Sequence, residues 1–319
     1  MEDTIIKTGL EIFKSKKLGD DAGFFRVNGK WLVVTNDMFV ESTDYVPIMS
    51  PKDVGFKVVT MNVSDLAAMG AKPKFFAFSI GLRKDYVNFG EIFKGISEAL
   101  DYYGMKLLSA DTNESKELII DGIALGFAEN LLLRGNAKRG QIVCVTGEFG
   151  RPLCALKIVL EDFKADEHIA KVLFEKLVRP YARFSEGYEL SKHATCAIDV
   201  SDGLSKELRM ISEASDIGLI VYADRIPISR EVKIFCERYE LDPVDVALSS
   251  GEEFELVFTI DEENISKINF DFSVIGKIVE DKGVWLKKDG KLIELEDKGW
   301  RHFLELDYRS NTPDVLEQS

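Results

Sequence analysis

Apolar and polar positions along this chain repeat with two different periods, and the changes of period mark its elements. Phe24–Val27 and Trp31–Thr35 are short apolar runs joined by Asn28-Gly29, two residues that tolerate positive φ. They predict a tight hairpin whose second strand runs out at Asn36-Asp37. Ser50-Pro51 supplies an N-cap and a first-turn proline to a helix that can run to Met69 before Gly70 stops it. On that helix Phe56, Val59, Val63 and Ala67 share one face, while Asn62 and Asp65, three apart, share another. Lys74–Gly81 reads as a strand, Phe89–Tyr103 as an amphipathic helix, Lys106–Ala110 as a strand ending at Asp111, and Leu118–Glu129 as a long strand.

A basic, glycine-containing stretch, Arg134–Gly140, follows and reads as a linker. The pattern then restarts with strand Ile142–Thr146, helical stretches through Leu190, strand Thr195–Asp199 and a helix from Leu204 to Ala214. Strands Gly218–Tyr222, Phe254–Ile260 and Phe272–Ile278 precede a hairpin pairing Val284–Leu286 with Leu292–Leu295 around Asp289-Gly290. The expected organisation is two domains, residues 1–134 and 135–306, with a frayed tail at 307–319.

Composition narrows the class. With 319 residues and 45% hydrophobic, the chain has material for two cores, which excludes disorder as its overall state. Lys+Arg number 41 against 55 Asp+Glu, a formal charge of −14, which argues against a duplex nucleic-acid binder because such proteins need a basic face. No stretch approaches the roughly 18 apolar residues that span a bilayer. The acidic opening MEDTIIKTGLEIF does not read as a signal peptide, and the four cysteines form no CxxC pair; a reduced, cytoplasmic protein is expected.

Several chemistries can be struck out. The chain has no GxxxxGK[ST] loop, no GxGxxG after a strand, no HExxH and no GxSxG, and its three histidines have no partners at zinc spacing. What stands out is the placement of acids. Asp20-Asp21 precede the hairpin, Asp37 and Asp111 fall at expected strand ends, Asp65 sits inside an apolar helix, and Asp199 and Asp202 flank Ser201 before Gly203. Taken singly, Asp202 could cap the Leu204 helix, Asp20 could close a turn and Asp111 could open an Asx turn. Asp65 caps nothing, and a carboxylate buried without compensation costs several kcal/mol. A shared set of oxygen ligands for Mg²⁺ and a nucleotide's phosphates explains the pattern better than an EF-hand, since Asp199–Gly203 places its glycine one position early.

Seven segments carry a resemblance. GDDAGFF (19–25), VVTNDMFVESTDY (33–45), KVVTMNVSDLAAMGAKP (57–73), SADTN (109–113), VTGEFG (145–150), AIDVSDGL (197–204) and SGEEFELVF (250–258) are similar, in order and over nearly the whole chain, to the thiamine-monophosphate kinase family. That family belongs to the superfamily of aminoimidazole ribonucleotide synthetase. The resemblance implies an α+β N-terminal mixed-sheet domain that pairs with its copy in a homodimer, and a C-terminal α/β domain closing over ATP. It implies Mg²⁺ ligation by Asp21, Asp37, Asp65, Asp111, Asp199 and Asp202 with Thr35 close by. ATP contacts would come from Ala110, Asp111, Arg134 and Ser201, and thiamine-moiety contacts from Glu252 and Trp300. Asp44 stands where the family typically has a substrate-contacting histidine.

The expected reaction is ATP + thiamine monophosphate → ADP + thiamine diphosphate, an in-line transfer needing no general base because the acceptor phosphate is largely a dianion at neutral pH. The first cysteine, Cys144, lies too late for a selenophosphate synthetase, and the Val315–Ser319 terminus lacks the cysteine of the hydrogenase-maturation branch. A ribonucleotide cyclase of the same superfamily and a non-catalytic divalent-metal module remain the alternatives.

Overall fold

The computed structural model describes residues 2–13 and 20–300. Gly19, residues 301–306 and the expected tail at 307–319 lie outside the described residues. The N-terminal half contains α1 (Glu2–Phe13), β1 (Gly23–Val27), β2 (Lys30–Val40), the single turn α2 (Glu41–Asp44), α3 (Pro51–Ala68), β3 (Lys72–Leu82), α4 (Phe89–Tyr103), β4 (Lys106–Glu114) and β5 (Ile119–Ala128). The second half contains β6 (Ile142–Val145), α5 (Arg151–Leu160), α6 (Glu167–Val178), α7 (Phe184–Leu190), β7 (Cys196–Asp199), α8 (Leu204–Ser215) and β8 (Gly218–Tyr222). It closes with α9 (Arg230–Arg238), α10 (Pro243–Ser249), β9 (Leu256–Ile260), β10 (Ser273–Val279), β11 (Gly283–Lys288) and β12 (Lys291–Glu294).

The first sheet runs β1-β2-β5-β3-β4, with β3 and β4 parallel and the other neighbours antiparallel. Asn28 (φ 50) and Gly29 (φ 84) form the hairpin turn, as their tolerance of positive φ predicts. β2 does not stop at Asp37: it stays paired with β5 up to Val40 opposite Ile119, so Asp37 is a mid-strand residue. β4 likewise continues past Asp111 to Glu114 because β3 offers it a partner that far. Local polarity suggested strand ends that the ladders override.

Helix α3 positions the site. Ser50 and Asp53 form a reciprocal capping box at its start, with Pro51 in the first turn. The helix is buried on most of its circumference because one side lies on the first sheet and the other meets α7 and β7 of the second half. Its crossing with α4 is close: a Cβ at Gly55 would lie 2.0 Å from Ile92 O, and one at Gly95 1.9 Å from Lys52 O. The main hydrophobic core is accordingly continuous from one half to the other, joining Val59 and Phe76 with Val145, Ile198 and Leu208.

The second sheet, β12-β11-β8-β10-β6-β9-β7, is mixed, with β11 and β8 its parallel pair. β7 is one of its two edge strands and ends at Asp199, directly beside α3. No helix among the described residues is long and apolar enough to cross a membrane.

Candidate functional site

The polar residues of Asn62–Asp65 reach two strands, β2 and β7, from one turn of α3. The Asp37 backbone N–H donates to Asn62 Oδ1 at 3.1 Å, which docks the helix on β2, and Asn62 Nδ2 donates within the helix to Val58 O at 3.0 Å. Gly122 on β5 makes room, since a Cβ there would lie 2.5 Å from Asn62 Nδ2. Ser64 Oγ donates to Asp199 Oδ2 at 2.5 Å, and Thr35 Oγ1 donates to Asp65 Oδ2 at 2.5 Å. Helix, first sheet and second sheet are thus joined at carboxylates.

Oxygens of Asp21, Asp65 and Asp199 all lie within 4.8 Å of one another. Burial, and then mutual repulsion, opposes their ionisation. Asp65 is held well above the usual carboxylate range; Asp21 is pushed up to about 7 by burial against the pull of Arg134, and Asp199 to about 6 by burial against its Ser64 hydrogen bond. Asp37 rises to about 6 through burial and the nearby charges of Asp44 and Asp202. Asp21 Oδ2 is buried with no hydrogen-bond partner, and the donors are hard oxygens, so the set fits Mg²⁺.

Arg134 is not a solvated linker residue. Its guanidinium lies 2.6 Å from Asp21 Oδ1 and 3.5 Å from Asp20 Oδ1, and its side chain is only 13% exposed. The carbonyl of Arg134 accepts from Ser215 Oγ at 2.7 Å, which fixes the residue against the end of α8. One cation therefore offsets part of the cluster's negative charge.

A second group adjoins the first. Asp202 does not cap α8: Gly203 is the N-cap, the Asp202 carboxylate takes Lys206 Nζ at 2.6 Å, and its N–H donates to Glu207 Oε1 at 3.2 Å. Ser201 O accepts from Glu252 N at 2.6 Å, and a Cβ at Gly251 would stand 2.8 Å from that same oxygen. Glu252 (φ 55) adopts a left-handed conformation, and its Oε1 lies 2.5 Å from the fully buried Lys57 Nζ on α3. Asp44, which accepts from Val40 N at 2.6 Å, has its ionisation opposed chiefly by burial; Glu252 opposes it further and Lys57 favours it. Trp300 N donates to Asp202 O at 2.9 Å, and the Trp300 side chain is exposed.

Two expected site residues lie elsewhere. Asp111 pairs with Ser79, which pairs with Asp121, opposite Met38, so Asp111 faces the side of the sheet away from Asp37. Ala110 is in the same row as Asp37 but three strands away, roughly 14 Å at the usual strand spacing. Every residue of β4 is exposed.

Comparison with known proteins bears directly on this geometry. The AIR synthase related protein N-terminal and C-terminal domains match residues 19–128 and 140–288. The thiamine-monophosphate kinase of Pyrococcus horikoshii is 48% identical, covering 96% of this chain and 97% of its own length. The chain belongs to the thiamine-monophosphate kinase family. The kinase of Methanocaldococcus jannaschii is 36% identical over 83% of this chain and 88% of that one. A solved structure of AaThiL complexed with AMPPCP and TMP superposes with a TM-score of 0.87 at 29% identity, covering 94% of this chain and 96% of that one.

Membership of the thiamine-monophosphate kinase family accounts for the two-sheet architecture and for the motif order. The structure brings together Asp21, Thr35, Asp37, Asp65, Asp199 and Asp202 with Arg134, Ser201, Asp44, Glu252 and Trp300, and leaves Ala110 and Asp111 apart within one chain. Sequence reasoning passed over Ser64, Lys57 and the buried Glu207. Lys57 carries the same signal that singled out Asp65, a charge inside an apolar helical run.

Proposed function

We infer that this chain transfers the γ-phosphoryl group of ATP to thiamine monophosphate, giving ADP and thiamine diphosphate. The observation that carries this is the junction of the carboxylate cluster with the Asp44–Lys57–Glu252 group through Asp37, Asp202 and Ser201, which puts metal-ligating and acceptor-binding chemistry at one mouth. Membership of the family supports the same assignment. A phosphate oxygen of the acceptor forms the new bond to the γ-phosphorus as the bond to the β,γ-bridging oxygen breaks, and ADP leaves with that electron pair. No side chain has to remove a proton, because the acceptor phosphate's second pKa is about 6.

Asp21, Asp65 and Asp199 would hold Mg²⁺ with Asp37 and Asp202 beside them; when bound, the ion supplies neutralisation of phosphate charge. Thr35 and Ser64 orient two of these carboxylates. Arg134 and Ser201 are assigned to the nucleotide, and Glu252, Asp44 and Trp300 to the thiamine moiety. An indole such as that of Trp300 suits the thiazolium cation, an attraction of about 0.5–2 kcal/mol.

The division at residue 134, between a dimerising domain (1–134) and a second domain (135–306), belongs to the same reading. The division is supported by the two separate sheets and the two domain matches, and the dimerising role by the exposed apolar residues Met38, Ile123, Leu107 and Leu108 on the first sheet. In a homodimer Ala110 and Asp111 would serve the site of the second copy. Four free, buried cysteines suit a reducing, cytoplasmic setting.

The test is product analysis on purified protein with Mg²⁺, ATP and thiamine monophosphate. ADP and thiamine diphosphate should form in equal amounts; ADP accompanied only by free phosphate would overturn the assignment.

A further inference from the structure

Lys57 is the least expected charge in the molecule. It lies on α3 with its side chain fully buried, where an ammonium costs several kcal/mol unless it is both paired and hydrogen-bonded. Its pairing is with Glu252 Oε1 at 2.5 Å, yet no acceptor stands in hydrogen-bond geometry about Nζ. Glu252 for its part is 29% exposed and is presented from a left-handed backbone position by the Ser201 contact. The pair therefore consists of a buried cation with unused donors and a carboxylate with access to solvent. Buried donors left without acceptors call for an explanation, and one explanation is a ligand that brings the acceptors.

The position of Lys57 says which ligand. Lys57 Nζ lies 2.5 Å from Glu252 Oε1, and the Glu252 N–H donates at 2.6 Å to Ser201 O, between Asp199 and Asp202, so the ammonium stands beside the end of β7 that carries the candidate metal ligands. A phosphate between the two would have three ammonium donors on one side and the nucleotide's terminal phosphate on the other. Thiamine monophosphate carries both a dianionic phosphate and a permanent ring cation, the opposite charges of Lys57 and Glu252.

We propose that Lys57 binds the acceptor phosphate of thiamine monophosphate, exchanging Glu252 for it, and that Glu252 is thereby released to the substrate's cationic ring. This rests on the kinase reading. In the empty protein the two side chains neutralise one another, and in the complex each meets its counterpart on the substrate. Lys57 thus distinguishes phosphorylated from unphosphorylated thiamine, a discrimination that Glu252 and Trp300 alone do not supply.

The experiment compares the binding of thiamine monophosphate and thiamine by titration calorimetry in wild type, Lys57→Met and Lys57→Arg, with steady-state KM values for both substrates. Wild type should prefer the monophosphate; Lys57→Met should lose about 10- to 100-fold of that preference, with the KM for ATP little changed. Lys57→Arg should keep most of it. Should Lys57→Met fold poorly because Glu252 is left unpaired, the double variant Lys57→Met/Glu252→Gln removes both charges and should show the same lost preference. Retention of the wild-type preference in either Met variant overturns the proposal and leaves the kinase reading intact. A wild-type protein that neither binds nor phosphorylates thiamine monophosphate overturns the kinase reading, and this proposal with it.

Discussion

Replacing Asp65 by Asn separates a functional carboxylate from a structural one. The substitution keeps an oxygen for the Thr35 hydroxyl, 2.5 Å away, and changes volume little, so its main effect is loss of one negative charge. At 4.8 Å and an effective dielectric constant of about 20, each like-charged neighbour repels by about 3 kcal/mol. The Arg134 cation, and the proton that Asp65 itself partly retains because burial and its acidic neighbours hold it well above the usual carboxylate range, reduce the relief on substitution to about 1–3 kcal/mol. At about 2–4 °C per kcal/mol, metal-free Asp65→Asn should melt a few degrees above wild type in EDTA at pH 8. Turnover with saturating Mg²⁺-ATP should fall by about 10²- to 10³-fold, the usual loss when a group that stabilises developing charge is compromised. A metal-free Tm more than about 5 °C below wild type would show that Asp65 holds the fold. Turnover within about threefold of wild type would show that its charge is not needed, and either result refutes the reasoning.

Two further predictions follow from electrostatics and placement. Asp37 and Asp199 titrate at about 6 and Asp21 at about 7 in the folded chain, against 3.8 for the ordinary side chain, so between about pH 4 and 7 the folded state holds protons that the unfolded state has lost. Metal-free stability should therefore fall as pH rises through that window, and Mg²⁺ should flatten the fall; calorimetric Tm values that rise steadily from pH 5 to 8 without metal would contradict the cluster's protonation. Glu255, pulled down to about 2 despite its burial by Lys176 and Arg183, acts in the opposite sense but loses its contribution only below that window. If Asp111 serves the site of a second copy, mixing inactive Asp65→Asn and Asp111→Asn subunits should restore roughly half of wild-type activity per heterodimer, because one of its two sites then carries neither change. No recovery after verified subunit exchange would place Asp111 in its own chain's site.

The amino-acid sequence by itself determined the elements whose signals are local. The Asn28-Gly29 hairpin follows from allowed φ, the capped start of α3 from Ser50-Pro51, and the limits of α4 from a steady 3.6-residue apolar period. The chemistry of the site was also legible, because a carboxylate such as Asp65 in an apolar helix contradicts its surroundings and requires a compensating group. α1, α9 and α10 were not legible from the pattern.

Tertiary structure decided where strands end and which charges meet. Asp37 and Asp111 lie within strands because β5 and β3 continue to offer paired backbone, and no local preference encodes the length of a neighbour. Arg134 meets Asp21, and Lys57 meets Glu252, across 113 and 195 residues of chain. A charge reports its own desolvation to its immediate neighbours in sequence, whereas the identity of its counter-ion depends on how α3 is clamped between two sheets.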